Sequence, residues 1–386
     1  MEPAFFRSAC PEKELLACCA RVNLSPGVVA RIRDLVAGPL DWDYAIAQAR
    51  DHSVLPLLQR NLRLAASEIV PRAVLADLES QARANAIRCL AQSSELLRVV
   101  DSLGSRGIHV LPYKGPVVAA QAYENIAARQ FDDLDIILAQ HDIPAAHDVV
   151  CGLGYEPRFP WLHSSDARSV VPGEYNYRNA ARQTLLELHT EATLRHFPVR
   201  APLAEFFDRA VSVDLGGQNV RTFRAEDALP VCCIHGAKDF WSKLIWVADV
   251  AELVRSHGNM DWDAVLRVAE RLRANRMLYL GLGLAAGMLD VELLPAIRAR
   301  VKADRRATAM AAQIAGRLLG RDAPECSAQE RFAFRRQTVE GGVAGWRYAL
   351  RLTFAPSEED WRQRNAPRAG ALTSLLRPFR LLRKYR

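Results

Sequence analysis

The 386 residues are half hydrophobic and one quarter charged, the balance of an ordinary globular protein with chain for roughly two to three domains. No apolar run approaches the roughly 18 residues of a transmembrane helix. The net charge of +7 is concentrated at one end. Beyond Ala366 come Arg368, Arg377, Arg380, Arg383, Lys384 and Arg386 with no acid, so the body is near neutral and a generally basic nucleic-acid surface is not supported.

Residues 1 to 104 read as helical throughout. Trp42, Ala45, Ile46 and Ala49, then Val54, Leu55, Leu57, Leu58 and Leu62, recur at helical spacing. Val74 to Leu103 gives one long helix or two, ended by Gly104. Glu2, then Glu12, Lys13 and Glu14, interrupt the start, so no signal peptide is expected.

Residues 105 to 223 change character. Ile108 to Tyr113 reads as a short strand, and Gly115-Pro116 opens a helix to about Tyr123, with proline at the favoured first position. A second strand carries Asp133-Leu134-Asp135-Ile136-Ile137-Leu138. Asp142 to Cys151 is a helix stopped by Gly152, Gly154 to Arg158 starts a strand, and 159 to 175 reads as a loop. Thr184 to Thr190 alternates as a strand, with Glu187 and His189 on one face and Leu186 and Leu188 on the other. Gly216 to Phe223 reads as a closing strand.

From Glu226 to about Trp361 the helical period returns. Asp227 is placed to cap a helix that contains Pro230 and reaches about Phe240. Further helices are expected over Lys243–Ser256, Asp261–Ala274, Met277–Asp290, Leu294–Leu319 and Arg331–Phe354. Gly281-Leu282-Gly283-Leu284-Ala285-Ala286 spells a dinucleotide loop, but no strand surrounds it, so its small residues are expected to serve helix packing. The order is a helical region 1–104, an α/β core 105–223, a helical domain 224–361 and a basic tail 362–386. Eight cysteines are scattered without a C-x-x-C, and Cys232-Cys233 beside His235 has no metal-ligand spacing. Reduced thiols in a cytoplasmic protein are therefore expected.

The chemistry concentrates in the core. Asp133 and Asp135, at i and i+2, share one strand face about 7 Å apart, and Glu187 sits on a later strand with its apolar neighbours in the matching alternation. Two acids on one strand and a third on an adjacent one suit a site that shares divalent cations for phosphoryl chemistry. Lys114-Gly115 stands at a strand-to-helix turn, where backbone amides and a cation favour a triphosphate. Each piece also has a plainer account. The paired acids alone suit a solvated strand face, Arg129 can pair with Asp132, and His189 is as well explained as a core histidine as a site residue. His235 and Asp239, at i and i+4, face together on a helix, and Trp241 and Trp246 suit a core.

In combination, Lys114-Gly115, then Arg129 with Asp133 and Asp135, then Glu187-Leu188-His189, resemble the uncharacterised nucleotidyltransferases of the polymerase-beta superfamily. Two flanking segments share the resemblance: Asp41-Trp42 through Ala49, His52 and Pro56-Leu57-Leu58, and His235-Gly236-Ala237-Lys238-Asp239 with Trp241, Leu244, Trp246 and Asp249. The similarity covers roughly residues 40 to 290. Asp132 stands where the pattern has a small residue, and Thr190 where it has an aromatic one.

The resemblance implies an α+β protein, with a polymerase-beta-like core of a small mixed sheet and helices flanked by helical regions. It implies transfer of a nucleoside monophosphate from ATP or another NTP to an acceptor hydroxyl, releasing pyrophosphate. Asp133, Asp135 and Glu187 would hold Mg²⁺ or Mn²⁺ and be catalytic, while Lys114, Gly115 and Arg129 would hold the nucleotide. His189, His235 and Asp239 are candidates for substrate contact. The acceptor is left open among a small molecule, peptide, protein or RNA. A silent nucleotide-binding scaffold and an RNA-modifying nucleotidyltransferase are the alternatives. The tail alternates leucines with cations, which suits contact with an anionic membrane surface.

Overall fold

The computed structural model describes residues 9–123, 125–158, 173–191, 203–321, 327–340 and 350. The basic tail and the end of the helix expected over Arg331–Phe354 lie outside the described residues. Five helices come first: α1 (Pro11–Cys19), α2 (Pro26–Ala37), α3 (Trp42–Asp51), α4 (Leu55–Ala66) and α5 (Arg72–Gly104). Ser25 and Asp41 cap α2 and α3 by accepting backbone N–H bonds, and α5 is a single helix of 33 residues.

The α/β unit follows as β1 (Val110–Pro112), α6 (Pro116–Ala122), β2 (Asp133–Leu138), α7 (Ile143–Gly152), β3 (Glu156–Pro157), β4 (Glu174–Asn179) and β5 (Thr184–His189). The sheet order is β1-β2-β5-β4-β3. Only the β2–β5 pair is parallel; β1, β4 and β3 join antiparallel. Strand β4 lies where a loop was expected as far as residue 175. Its alternation is clear in retrospect: Tyr175, Tyr177 and Asn179 are buried, while Glu174 and Asn176, half-buried, and the exposed Arg178 lie on the opposite face. After α8 (Leu203–Asp208), β6 (Val211–Asp214) and β7 (Asn219–Thr222) form a separate antiparallel ribbon. The segment expected to close the core sheet therefore pairs with its own neighbour. It touches the core sheet through Thr222 Oγ1, which donates to the Pro112 carbonyl at 2.7 Å.

The C-terminal helices are α9 (Ala225–Lys238), α10 (Leu244–Ser256), α11 (Trp262–Arg271), α12 (Asn275–Leu289), α13 (Pro295–Ala303), α14 (Arg305–Leu319) and α15 (Ala328–Thr338). Asp227 is not the cap of α9. It lies inside the first turn, fully buried, and its carboxylate accepts from Arg209 and Arg224. The run expected as one helix over Leu294–Leu319 breaks at Asp304, whose side chain caps α14. No helix among the described residues is long and apolar enough to cross a membrane.

Among the described residues two large cores and a small one of Cys89, Ala119 and Phe131 hold these elements. Leu134, Ile136 and Leu138 of β2 and Leu186 and Leu188 of β5 pack with Leu96, Val99 and Leu103 of α5 and with α7. On the opposite side, Ile137 and Tyr113 join a larger core. It unites Leu15 and Leu16 of α1, Leu57 and Leu58 of α4, and Trp241, Leu278 and Ile314. The site face of the sheet thus looks toward helices drawn from both ends of the chain.

Trp241 is wedged against two glycines. A Cβ on Gly236 would lie 2.7 Å from its indole ring, and one on Gly281 would lie 2.5 Å from Cys233 Sγ and 2.9 Å from the same ring. The glycine-rich run within α12 is thus a packing device. Gly236→Ala and Gly281→Ala should each cost about 1–3 kcal/mol by overpacking, read as a lower urea midpoint; an unchanged midpoint would refute the wedge.

Candidate functional site

Strands β2 and β5 run in parallel with Asp135 directly beside Glu187. Alternation then places Asp133 and Asp135, Glu187 and His189 on one sheet face. Their tips converge. His189 Nε2 lies 3.0 Å from Asp135 Oδ1 and 3.3 Å from Glu187 Oε2. Asp135, Glu187 and His189 each offer a ligand atom, all within 4.8 Å of one another. Lys114, in the turn after β1, reaches across and donates from Nζ to Asp135 Oδ1 at 2.6 Å. The Tyr113 ring stands edge-on to His189 with centroids 5.4 Å apart, fixing the imidazole plane.

The turn itself requires glycine. Gly115 has φ +52°, and a Cβ there would lie 3.2 Å from the Asp133 carbonyl oxygen. The helix that follows, α6, has only seven residues, so Lys114 contributes more than a helix dipole at this end of the site.

The charges are strongly coupled. Burial raises Asp135, but the Lys114 ammonium and the His189 hydrogen bond outweigh it and hold this carboxyl well below the usual range. Asp133 goes the other way. The neighbouring Asp135 charge, burial and then Glu187 push it up to about 7. His189 is lowered by burial but raised further by its bonds to Asp135 and Glu187, for a net rise. The site therefore carries one carboxylate neutralised by Lys114 and a second, Asp133, that holds its proton near neutral pH. A cation among these oxygens and the imidazole nitrogen would relieve that repulsion.

The close set differs in membership from the expected three carboxylates. Asp133 sits one strand repeat along from Asp135, about 7 Å, whereas in-register neighbours across β2 and β5 are nearer to 4.8 Å. Register therefore brings Glu187 to Asp135 more closely than Asp133, and the His189 side chain reaches Asp135 from the diagonal position opposite Ile137. Asp132 faces away, exposed, and pairs with Arg88 at 3.6 Å. Arg129 does not offer a free guanidinium to a triphosphate. Its Nε and Nη2 donate to Asp249 at 2.7 Å each, in the interior, and Tyr123 Oη donates to the same carboxylate at 2.8 Å. That assignment gives way to a buried ion pair between the sheet and α10. His235 Nδ1 and Asp239 Oδ2 on α9 are 3.7 Å apart. Burial and then the Lys114 charge push His235 well below its ordinary value, so it stands neutral within the field of the site.

Sequence reasoning missed Glu174 and Asn176. Strand β4 pairs Glu174 with His189 and Asn176 with Glu187, which adds a carboxylate and an amide to the same face. Asn176 Nδ2 donates to Glu174 Oε1 at 3.1 Å. The alternation of Glu174-Tyr175-Asn176-Tyr177 after Gly173 was the available signal.

A family model described as uncharacterised nucleotidyltransferase matches residues 38–290. The chain belongs to that family. A search among curated proteins found no match. The matched span includes Lys114, both strand carboxylates, Glu187 and His189, together with α3, α9 and α10. A small mixed sheet carrying the acids, set among helices, is the α+β arrangement the family fits.

Lys114 is also structural here, being largely buried, with its side chain 16 % exposed against 2 % for Asp135. Lys114→Ala should lower the melting temperature of metal-free protein, because it strands a buried carboxylate. Added Mn²⁺ should restore much of that loss. A variant that melts like wild type without metal would show that this pair carries no stability.

Proposed function

We propose that this protein transfers a nucleoside monophosphate from an NTP to an acceptor hydroxyl in a reaction that depends on Mg²⁺ or Mn²⁺. The observation that carries this is Asp135 in register with Glu187, with His189 between them and Lys114 on the Asp135 oxygen. Two carboxylate oxygens and an imidazole nitrogen within 4.8 Å of one another form a donor set that suits a divalent cation. When bound, the cation neutralises charge on the phosphates and on the leaving group.

Each residue then has a defined task. Asp135 and Glu187 supply anionic oxygens, and Asp133 joins them once its proton leaves. Lys114, close enough to move from Asp135 to a phosphate oxygen, holds the triphosphate as a point charge. The Gly115 amide lies beside it, where no side chain obstructs approach. Glu187, a quarter exposed on its side chain, accepts the acceptor's proton as the new oxygen–phosphorus bond forms and the bond to pyrophosphate breaks. Before a cation binds, His189 Nε2 bridges Asp135 and Glu187 and holds the two carboxylates together.

Calorimetry of ATP and the other NTPs, with and without metal, tests this. Binding should need Mg²⁺ or Mn²⁺, and metal affinity should rise as pH passes about 7, where Asp133 loses the proton that competes with the cation. Equal NTP affinity with and without metal would overturn the proposal.

A further inference from the structure

One carboxylate oxygen in the site serves two donors. Asp135 Oδ1 accepts from Lys114 Nζ at 2.6 Å and lies 3.0 Å from His189 Nε2, a nitrogen that donates when it faces a carboxylate. Two N–H groups thus take the two lone-pair directions of that oxygen. A divalent cation needs the same lone pairs, at about 2.1 Å for Mg²⁺. The Lys114 ammonium and a metal ion are therefore competitors for Asp135.

Lys114 is held in that place from a second side. Its Nζ stands 4.9 Å from the centroid of the Tyr113 ring, a cation over an aromatic face. The ring is buried, tilted against Phe223 at 5.3 Å and edge-on to His189. Gly115, at φ +52° and tight against the Asp133 carbonyl, fixes the turn from which the lysine extends. The ammonium thus sits between a carboxylate and a ring face, with its side chain 16 % exposed.

Moving Lys114 off Asp135 is unfavourable unless another anion receives it. A largely enclosed ammonium without an acceptor has lost its hydration and its ion pair together. Phosphate oxygens are strong acceptors for such a cation. An NTP at the Lys114-Gly115 turn would take over the lysine's N–H donors and return a lone pair to Asp135 Oδ1, with His189 still steadying the carboxylate.

We propose that Lys114 is a latch on the cation site: it occupies Asp135 until an NTP draws its ammonium away, so metal and nucleotide bind as a mutually dependent pair. This rests on the nucleotidyl-transfer reading, which puts the triphosphate at that turn. Such coupling is reciprocal, so the factor by which nucleotide raises metal affinity is also the factor by which metal raises nucleotide affinity. Metal alone is weakly held, and the site loads when both are present.

The test is calorimetry of the full chain with Mn²⁺ alone, and with the non-cleavable α,β-methylene analogue of ATP in the presence and absence of Mn²⁺. Lys114→Met should bind Mn²⁺ alone about tenfold or more tighter than wild type, a coupling of ordinary size, while taking up the analogue more weakly. The factor by which Mn²⁺ improves analogue binding should shrink in the variant; complex formation between Mn²⁺ and analogue in solution is common to both proteins and cancels. Lys114→Gln, whose amide can still donate to Asp135 and so spare the fold, should shift Mn²⁺ affinity in the same direction. Removal of any nearby positive charge would also favour a cation, so Lys238→Met is the control. Lys238 acts on the same sheet face through Glu174 but is not a partner of Asp135, and its loss should change Mn²⁺ affinity less than about threefold.

Mn²⁺ binding by both Lys114 variants that is no tighter than wild type would overturn the latch. So would an equal gain in Lys238→Met, which would reduce the effect to general charge. Analogue binding by wild type that ignores metal would instead overturn the nucleotidyl-transfer reading, and the metal-only comparison would still decide whether Lys114 blocks Asp135.

Discussion

Asp135→Asn should reduce turnover at least about a hundredfold, which is ~2.7 kcal/mol of barrier, and should remove measurable metal binding. Asp135 is the hub of the site. Its Oδ1 accepts from Lys114 and meets His189 Nε2, and its neighbour across the sheet is Glu187. The amide keeps the volume and loses the charge, so Lys114 is left as a buried cation without its partner. A fall in melting temperature should therefore accompany the loss of activity. Glu187→Gln separates the two effects. That side chain is 23 % exposed and has no buried ammonium to neutralise, so the fold should stay intact while turnover falls. Retention of more than about a tenth of turnover in Asp135→Asn would remove its assigned role. Loss in that variant but not in Glu187→Gln would point to damaged folding instead.

The Arg129–Asp249 pair should show the opposite pattern, with large effects on stability and small ones on nucleotide. Both side chains are almost fully enclosed, 10 % and 5 % exposed, and the contact is bidentate. Breaking one side of such a pair leaves an uncompensated interior charge and costs about 3–5 kcal/mol. Arg129→Met and Asp249→Asn should each lower the unfolding free energy by that amount, read from the urea midpoint and slope. The triple change Arg129→Met, Asp249→Leu and Tyr123→Phe should recover most of it, since an apolar cluster avoids the desolvation of two ions and leaves no buried hydroxyl without its acceptor. NTP affinity measured on the folded fraction should stay near wild type in all of them. An unchanged midpoint together with lost NTP affinity would return Arg129 to the triphosphate.

Much of the site was legible before any coordinates. Lys114-Gly115 between an apolar strand and a proline-led helix, the Asp-x-Asp strand, and Glu187 and His189 at i and i+2 are all local patterns. They follow from the two-residue repeat of a strand and from the turn chemistry of glycine. The long helix to Gly104 was likewise local. Strand β4 was recoverable by the same rule, but its first two residues fell in the stretch read as loop and the rest was left unassigned.

What the chain could not disclose one segment at a time is register and long-range partnership. Periodicity assigns a side chain to a face, but it does not say which residue of a neighbouring strand lies opposite. The parallel pairing of β2 with β5 made Asp135, Glu187 and His189 the close set and left Asp133 beside it. Arg129 belongs to Asp249, 120 residues away, because the fold brings α10 alongside it and encloses the two side chains together. Helix α1 from one end of the chain likewise packs against α12 and α14 from the other. No local pattern records that contact, since the burial that drives it depends on apolar area and is indifferent to sequence distance.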